Sequence, residues 1–219
     1  MDQGFKAHGS CWWSQPPIEA VLALAREHDV RLADVVAIRI ETFEKAVHLD
    51  HQDPTTTEQA QYSIPFPVAA ALVKGSRGAE GSEGADGWYG LGPAEMIGPG
   101  LTDPETRRLA HAIELVEAPD LTAAFPQRFL ARVRLTLADG GVLTSPETTF
   151  RGELDDPLTD AEVTAKYRWL AGTLLCESRA AELEAAAWGI ADAPTIEPLL
   201  ALLVAPPDML PELPTELAP

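Results

Sequence analysis

The chain changes its hydrophobic period several times, and each change marks an element. Ile18, Val21, Leu22 and Ala25 recur at the spacing of one helix face. They follow Pro16 and Pro17, whose fixed φ and missing N–H suit a first turn. The pattern predicts a helix ending near His28 or Asp29. Residues 36–43, Val-Ala-Ile-Arg-Ile-Glu-Thr-Phe, then alternate apolar and polar, which predicts a half-buried strand. The polar stretch 48–58 reads as a loop. Helical spacing returns over about 58–73, with an Ala-rich second half. Pro65 and Pro67 are awkward inside that segment, so the helix either begins after Pro65 or kinks there. Gly75 is a natural C-terminal stop.

Asp103-Pro104-Glu105 pairs a capping carboxylate with a proline in the first helical position and opens a third, short helix. Residues 113–116 read as a strand. Residues 128–137 read as a clearer one, with Val133, Leu135 and Leu137 on one face. Asp139-Gly140-Gly141 is a hairpin signal, and 142–150 returns. Thr159-Asp160-Ala161-Glu162 is a capping box, followed by Val163, Tyr167, Leu170 and Leu174 at helical spacing. Further helices are expected over 177–188 and 196–204.

The fold class these elements predict is α+β. A small sheet with packed helices spans 1–152, a C-terminal helical segment spans 153–204, and a Pro-rich disordered tail spans 205–219. The Gly-rich stretch 75–92 reads as a mobile surface loop, with Trp88 and Tyr89 as an anchor or a lid over substrate. The helical segment is rich in Leu, Ala and Trp but has few helices to cover them. Its apolar stripes lie on the sheet or dock on another chain.

The 219 residues are enough to bury a core, and 46% hydrophobic against 23% charged is an ordinary globular mix. No apolar run approaches the ~20 residues that cross a bilayer. Met1-Asp2-Gln3-Gly4 lacks the basic flank and apolar stretch of a signal peptide, so the expected location is the cytoplasm and no membrane partner is expected. A net charge of −18 repels phosphate backbones and argues against nucleic acid. Residues 151–219 hold 4 basic and 13 acidic side chains, half of that excess, and solubility explains it more simply than cation binding. Cys11 and Cys176 form no CxxC pair, and the five histidines show no zinc spacing. No metal and no cofactor are expected.

Several segments, in their order, resemble the carboxy-terminal half of the MmgE/PrpD family. That family includes 2-methylcitrate dehydratase, cis-aconitate decarboxylase and iminodisuccinate epimerase. Phe5-Lys6-Ala7-His8-Gly9-Ser10-Cys11 is similar to the family's Lys-x-(aromatic or His)-Pro-x-(Cys or His) segment. Residues 59–75, with Ala60-Gln61-Tyr62-Ser63 and Phe66, are similar to its AQFS-x-x-Y helix. Asp139-Gly140, Asp156-Pro157-Leu158-Thr159 and Lys166-Tyr167 are similar to its DG, NPLT and KF elements. In the family a large all-helical domain precedes a smaller α/β lid domain, and the final helices return to the helical domain. This chain starts close to where the lid starts. The resemblance therefore implies the lid subunit of a split enzyme, completed by a separate all-helical PrpD-like subunit.

The resemblance also implies a site. Lys6 matches the family's active-site lysine, which would bind a carboxylate or steady enolate charge; the plain alternative is a solvated lysine. Cys11 falls where members carry His or Cys, and a thiol of ordinary pKa near 8.5 is a poor proton shuttle, so it either moves protons or simply packs. His8 between them is an acid–base substitute or a surface histidine. Phe66 stands where decarboxylase-type members place a Tyr. It can wall a substrate pocket, with Ser63 and Trp12 as further substrate contacts, but it cannot donate a proton. Trp12-Trp13 either pack on the next helix or form an aromatic wall at a subunit interface. His48 and His51 imitate a metal cluster but lie in a polar loop.

Two functions compete. In the first, the chain is part of a lyase, of hydro-lyase type, or an isomerase. It would abstract a proton next to a carbonyl or carboxylate of a small molecule, with dehydration or rearrangement. In the second it is a non-catalytic ligand-binding or regulatory lid module.

Overall fold

In β1 (Val35–Thr42), Ile38 and Ile40 are fully buried, and this strand is the centre of the molecule's sheet. The computed structural model describes residues 4–77 and 90–205. These form two compact units, divided in this range between Leu158 and Thr159.

In the first unit, α1 (Gln15–His28) precedes β1, and α2 (Thr57–Gln61), α3 (Pro65–Arg77), α4 (Pro93–Met96) and α5 (Pro104–His111) follow it. Then come β2 (Ile113–Glu117), α6 (Pro119–Ala124), β3 (Arg132–Leu137) and β4 (Val142–Thr144). The sheet order is β2-β1-β3-β4, with β1 parallel to β2 and the other neighbours antiparallel. Register aligns the apolar rows: Ile38 lies opposite Ile113 and Leu135, and Ile40 opposite Leu115 and Val133. On the other face Arg39 reaches Glu114 across the strands at 3.0 Å.

Helix α3 is the core helix, and Phe66, Val68, Ala69, Ala70, Ala71, Leu72 and Val73 on it are all buried. It packs against α1 and α5. Its small residues permit that approach from two sides. The predicted helix over 58–73 is in fact two helices, α2 and α3, and the break at 62–64 lets Pro65 and Pro67 sit in a first turn, where no N–H is needed. Gly75 does not stop α3, which runs to Arg77. A β-carbon at Gly75 would lie 3.2 Å from Leu22 Cδ2, a tight approach to the tip of an α1 side chain.

The returning strand is shorter than the predicted 142–150. After Thr144, the Ser145 hydroxyl accepts the Val133 N–H at 2.9 Å, and Pro146 has no N–H to continue a ladder. A single bridge, Ala131 to Thr148, resumes the pairing. Asp103 caps α5 as predicted, accepting the Thr106 N–H at 2.8 Å.

The second unit, over its described residues 159–205, holds α7 (Asp160–Ala171), α8 (Glu177–Trp188) and α9 (Glu197–Val204). The capping box is formed: Thr159 N–H donates to Glu162 at 2.8 Å, and Glu162 N–H to Thr159 Oγ1 at 3.3 Å. Arg168 grips the Glu184 carboxylate through two bonds, 2.6 and 2.7 Å, and this holds Glu184 below the usual carboxylate range. Tyr167 donates to Ala180 O at 2.9 Å, and Arg179 to Leu202 O at 2.6 Å. Among the described residues of this unit only Ala180 is buried, while Trp188 is 52% and Leu203 61% exposed. The greater part of the Gly-rich loop, with Trp88 and Tyr89, and the tail from Pro206 lie outside the described residues. No helix among the described residues is long and apolar enough to cross a membrane.

Candidate functional site

The opening segment 4–11 has no regular structure, yet it is held at both ends. Phe5 N–H donates to Gly152 O at 2.8 Å, and Cys11 N–H donates to Gln61 O at 2.7 Å. Gly152 has φ +107°, and a β-carbon there would collide with the Phe5 carbonyl, so only glycine allows this junction. The second bond brings the loop that carries Lys6 and Cys11 to the corner between α2 and α3, where Tyr62 is 66% exposed.

Between these ends the chain closes on Gln15, the first residue of α1, which is completely buried. Gln15 Oε1 accepts the His8 backbone N–H at 3.1 Å. Gln15 Nε2 lies 3.2 Å from His8 O, 3.0 Å from Ser10 Oγ and 3.2 Å from Cys11 O. Ser10 Oγ and Ser14 Oγ are 2.7 Å apart, and Ser14 Oγ is 2.7 Å from Cys11 O. On this frame the Lys6 ammonium donates to Ser10 O at 2.8 Å. Lys6 is half-buried, on a segment that is bonded at both ends.

His8 is 1% exposed, which excludes a surface histidine. Its Nδ1 accepts the Leu91 backbone N–H at 3.3 Å, and its Nε2 faces Glu19 Oε1 at 3.1 Å. Gly9 N–H donates to Leu91 O at 2.9 Å, so the 90–92 segment is held from this side at two points. Lys74 holds it from α3, donating to Gly90 O at 2.6 Å with Glu95 3.5 Å away. Burial pushes the Lys74 ammonium below its ordinary pKa, and Glu95 opposes that shift.

Of the other predicted contacts, Ser63 and Phe66 are interior and Trp12 is half-buried. Ser63 is fully buried, donates to His51 O at 2.6 Å and accepts the Phe66 N–H at 3.2 Å, so its hydroxyl caps α3. Phe66 is fully buried in the core. Trp12 donates to Glu153 at 3.1 Å and meets the Phe150 ring edge-on at 5.0 Å, while Trp13 joins Phe43 and Phe125. His48 and His51 are exposed, and no group of three or more His, Cys, Asp or Glu among the described residues is placed to hold a metal ion.

The first unit also has a groove of about 400 Å³ lined by Glu19, Glu27, Glu147 and Asp156. Each of these carboxylates has a partner, Glu19 in His8, Glu27 in His28 at 4.0 Å, Glu147 in Arg128 and Asp156 in Arg151.

Gln15, Ser14, Glu19 and Leu91 complete the site and were not expected from the sequence. The available signal was a glutamine immediately before the Pro16-Pro17 helix start, where an uncharged amide can serve loop and helix together.

Residues 8–191 match the family described as MmgE/PrpD C-terminal domain. The match opens at His8, two residues after Lys6. No curated protein matches the chain.

Proposed function

The chain belongs to the MmgE/PrpD family through its C-terminal domain, and on that premise we propose that it is the lid subunit of a split lyase or isomerase. Its substrate is a small carboxylated or carbonyl-bearing molecule, and its reaction removes a proton next to the carbonyl with dehydration or rearrangement. It works with a separate helical chain, against which residues 159–204 bury their apolar side chains.

One observation carries the reading: Lys6 is a half-buried cation with its ammonium tied to Ser10 O at 2.8 Å, on a loop whose polar groups are bonded among themselves. A cation fixed in advance stabilises charge that grows on an enolate oxygen, because it needs no reorganisation as the charge appears. Half-buried Cys11, on the same loop, is available as a neighbouring proton carrier or a packing group.

The sealed positions of His8, Ser63 and Phe66 favour a second reading, a ligand-binding or regulatory lid without chemistry of its own.

Deuterium incorporation separates the two. The full chain, alone and together with a helical-domain chain of the same family, is incubated in D₂O with 2-methylcitrate and with cis-aconitate. Deuterium should enter next to the carboxylate only when both chains are present. In Lys6→Ala it should fall about 10²-fold, the scale of losing one preorganised donor. Binding without exchange selects the second reading. Neither binding nor exchange, with either substrate, overturns both.

A further inference from the structure

We infer that Gln15 and His8 are positioning residues, which hold the Ser10 carbonyl and through it the Lys6 ammonium. The inference rests on the reading of Lys6 given above. Hydrogen positions follow from which partners can only accept or only donate. The His8 backbone N–H can only donate, so the Gln15 oxygen faces it and the Gln15 NH₂ faces the loop. The Cys11 carbonyl can only accept, so Ser14 gives it its one hydroxyl proton. Ser14 must then accept from Ser10, and Ser10 in turn accepts from Gln15. The result is a chain of bonds with a single direction: Gln15 to Ser10, Ser10 to Ser14, Ser14 to Cys11 O. Each bond polarises the next.

The same reasoning fixes His8. Leu91 N–H can only donate, so Nδ1 carries the lone pair and Nε2 carries the proton, which points to Glu19. Both nitrogens are thereby occupied in binding the loop, one to α1 through Glu19 and one to the 90–92 segment. A ring 1% exposed with both nitrogens engaged is a strut for the loop and does not carry protons to a substrate. Ser10 O, the acceptor for Lys6, also lies 3.4 Å from Gln15 Nε2. Lys6 thus inherits its position from a glutamine nine residues further along the chain.

The test reads the lysine ammonium groups of the ¹⁵N-labelled full chain by NMR, with the Lys6 signal assigned by its loss in Lys6→Arg. Lys74 serves as an internal control, because its ammonium hangs on Gly90 O and Glu95 instead. Gln15→Met should speed exchange of the Lys6 ammonium with water by about tenfold or more, the effect of one lost hydrogen bond, and leave Lys74 unchanged. Ser14→Ala cuts the far end of the chain of hydroxyls and should act in the same direction, more weakly. It decides the question if Gln15→Met does not fold. A Lys6 exchange rate unaltered in either folded variant overturns the inference, and so does equal acceleration of Lys6 and Lys74. Long-range ¹H–¹⁵N spectra should show His8 protonated at Nε2; protonation at Nδ1 instead refutes the assignment. Citrate titration of the same sample keeps the two readings apart. If citrate fails to move the Lys6 signal, the proposed function loses its support while the exchange result on Gln15 stands.

Discussion

In the first unit a glutamine is sealed completely and its amide bonds to backbone and hydroxyl partners on both sides. In the second, the most deeply buried described residue is an alanine, and a tryptophan stands 52% exposed. Yet the helices of the second unit are as well formed locally as those of the first. They have a complete capping box, a two-bond Arg168–Glu184 pair and a tyrosine bonded to the neighbouring helix. A cap contributes typically about 1 kcal/mol and an exposed ion pair up to about 1 kcal/mol. Burial of one large apolar side chain contributes about 1.5–3 kcal/mol. Local rules therefore suffice to shape helices, while a core decides which unit is stable unaided.

The sharpest way to break this comparison is to truncate one apolar residue in each unit. Phe66→Ala should cost about 3–5 kcal/mol in urea unfolding of the full chain, from lost transfer energy and a cavity. Leu200→Ala, 45% exposed at the start, should stay within about 0.5 kcal/mol. Equal costs would mean that the second unit has a core of its own. A smaller effect is expected from Gln15→Met, about 1–3 kcal/mol by the same measurement, because buried partners of the amide lose their bonds. If the midpoint does not move, Gln15 is not the hub described.

Thr159→Ala should cost about 1 kcal/mol and only locally. Amides in the first turn of α7 should lose protection in hydrogen exchange, with no change in the first unit. The smallest effect concerns pH. Burial lowers the Lys74 pKa in the folded chain, so just below the ordinary lysine value of about 10.4 the unfolded chain binds more protons than the folded one. Stability from this group therefore rises with pH through that window. The native chain should gain on Lys74→Met between neutral pH and about 10 in chemical denaturation; a falling difference would contradict the assignment.

Much of the fold was legible because single residues fix it. Pro16-Pro17, Asp103-Pro104 and Thr159 to Glu162 each announce a helix start through one hydrogen bond or one fixed φ. Alternation exposed β1 for the same reason. What could not be read depends on distant neighbours. Gly75 looks like a stop until Leu22 is placed against it. The early end of β4 needs the Ser145 hydroxyl to meet Val133, and the parallel pairing of β1 with β2 has no local signature. Helices α4 and α6, of four and six residues, are too short to show a period. In the site, the resemblance singled out Lys6, His8 and Cys11, which the structure gathers on one loop. It could not show that His8 faces inward, since its partners Glu19 and Leu91 are 11 and 83 residues away.

The bond from Lys6 to the Ser10 carbonyl has a consequence for affinity. A lysine side chain free in water has about 1.5–2 kcal/mol of rotamer entropy to lose when it is held still. Here much of that loss has already occurred on folding, with the ammonium fixed by Ser10 and the loop fixed by Phe5, Cys11 and Gln15. An anion that meets Lys6 does not have to order it again. At 1.4 kcal/mol for each factor of ten, that difference is worth roughly ten- to thirtyfold in dissociation constant without any added contact.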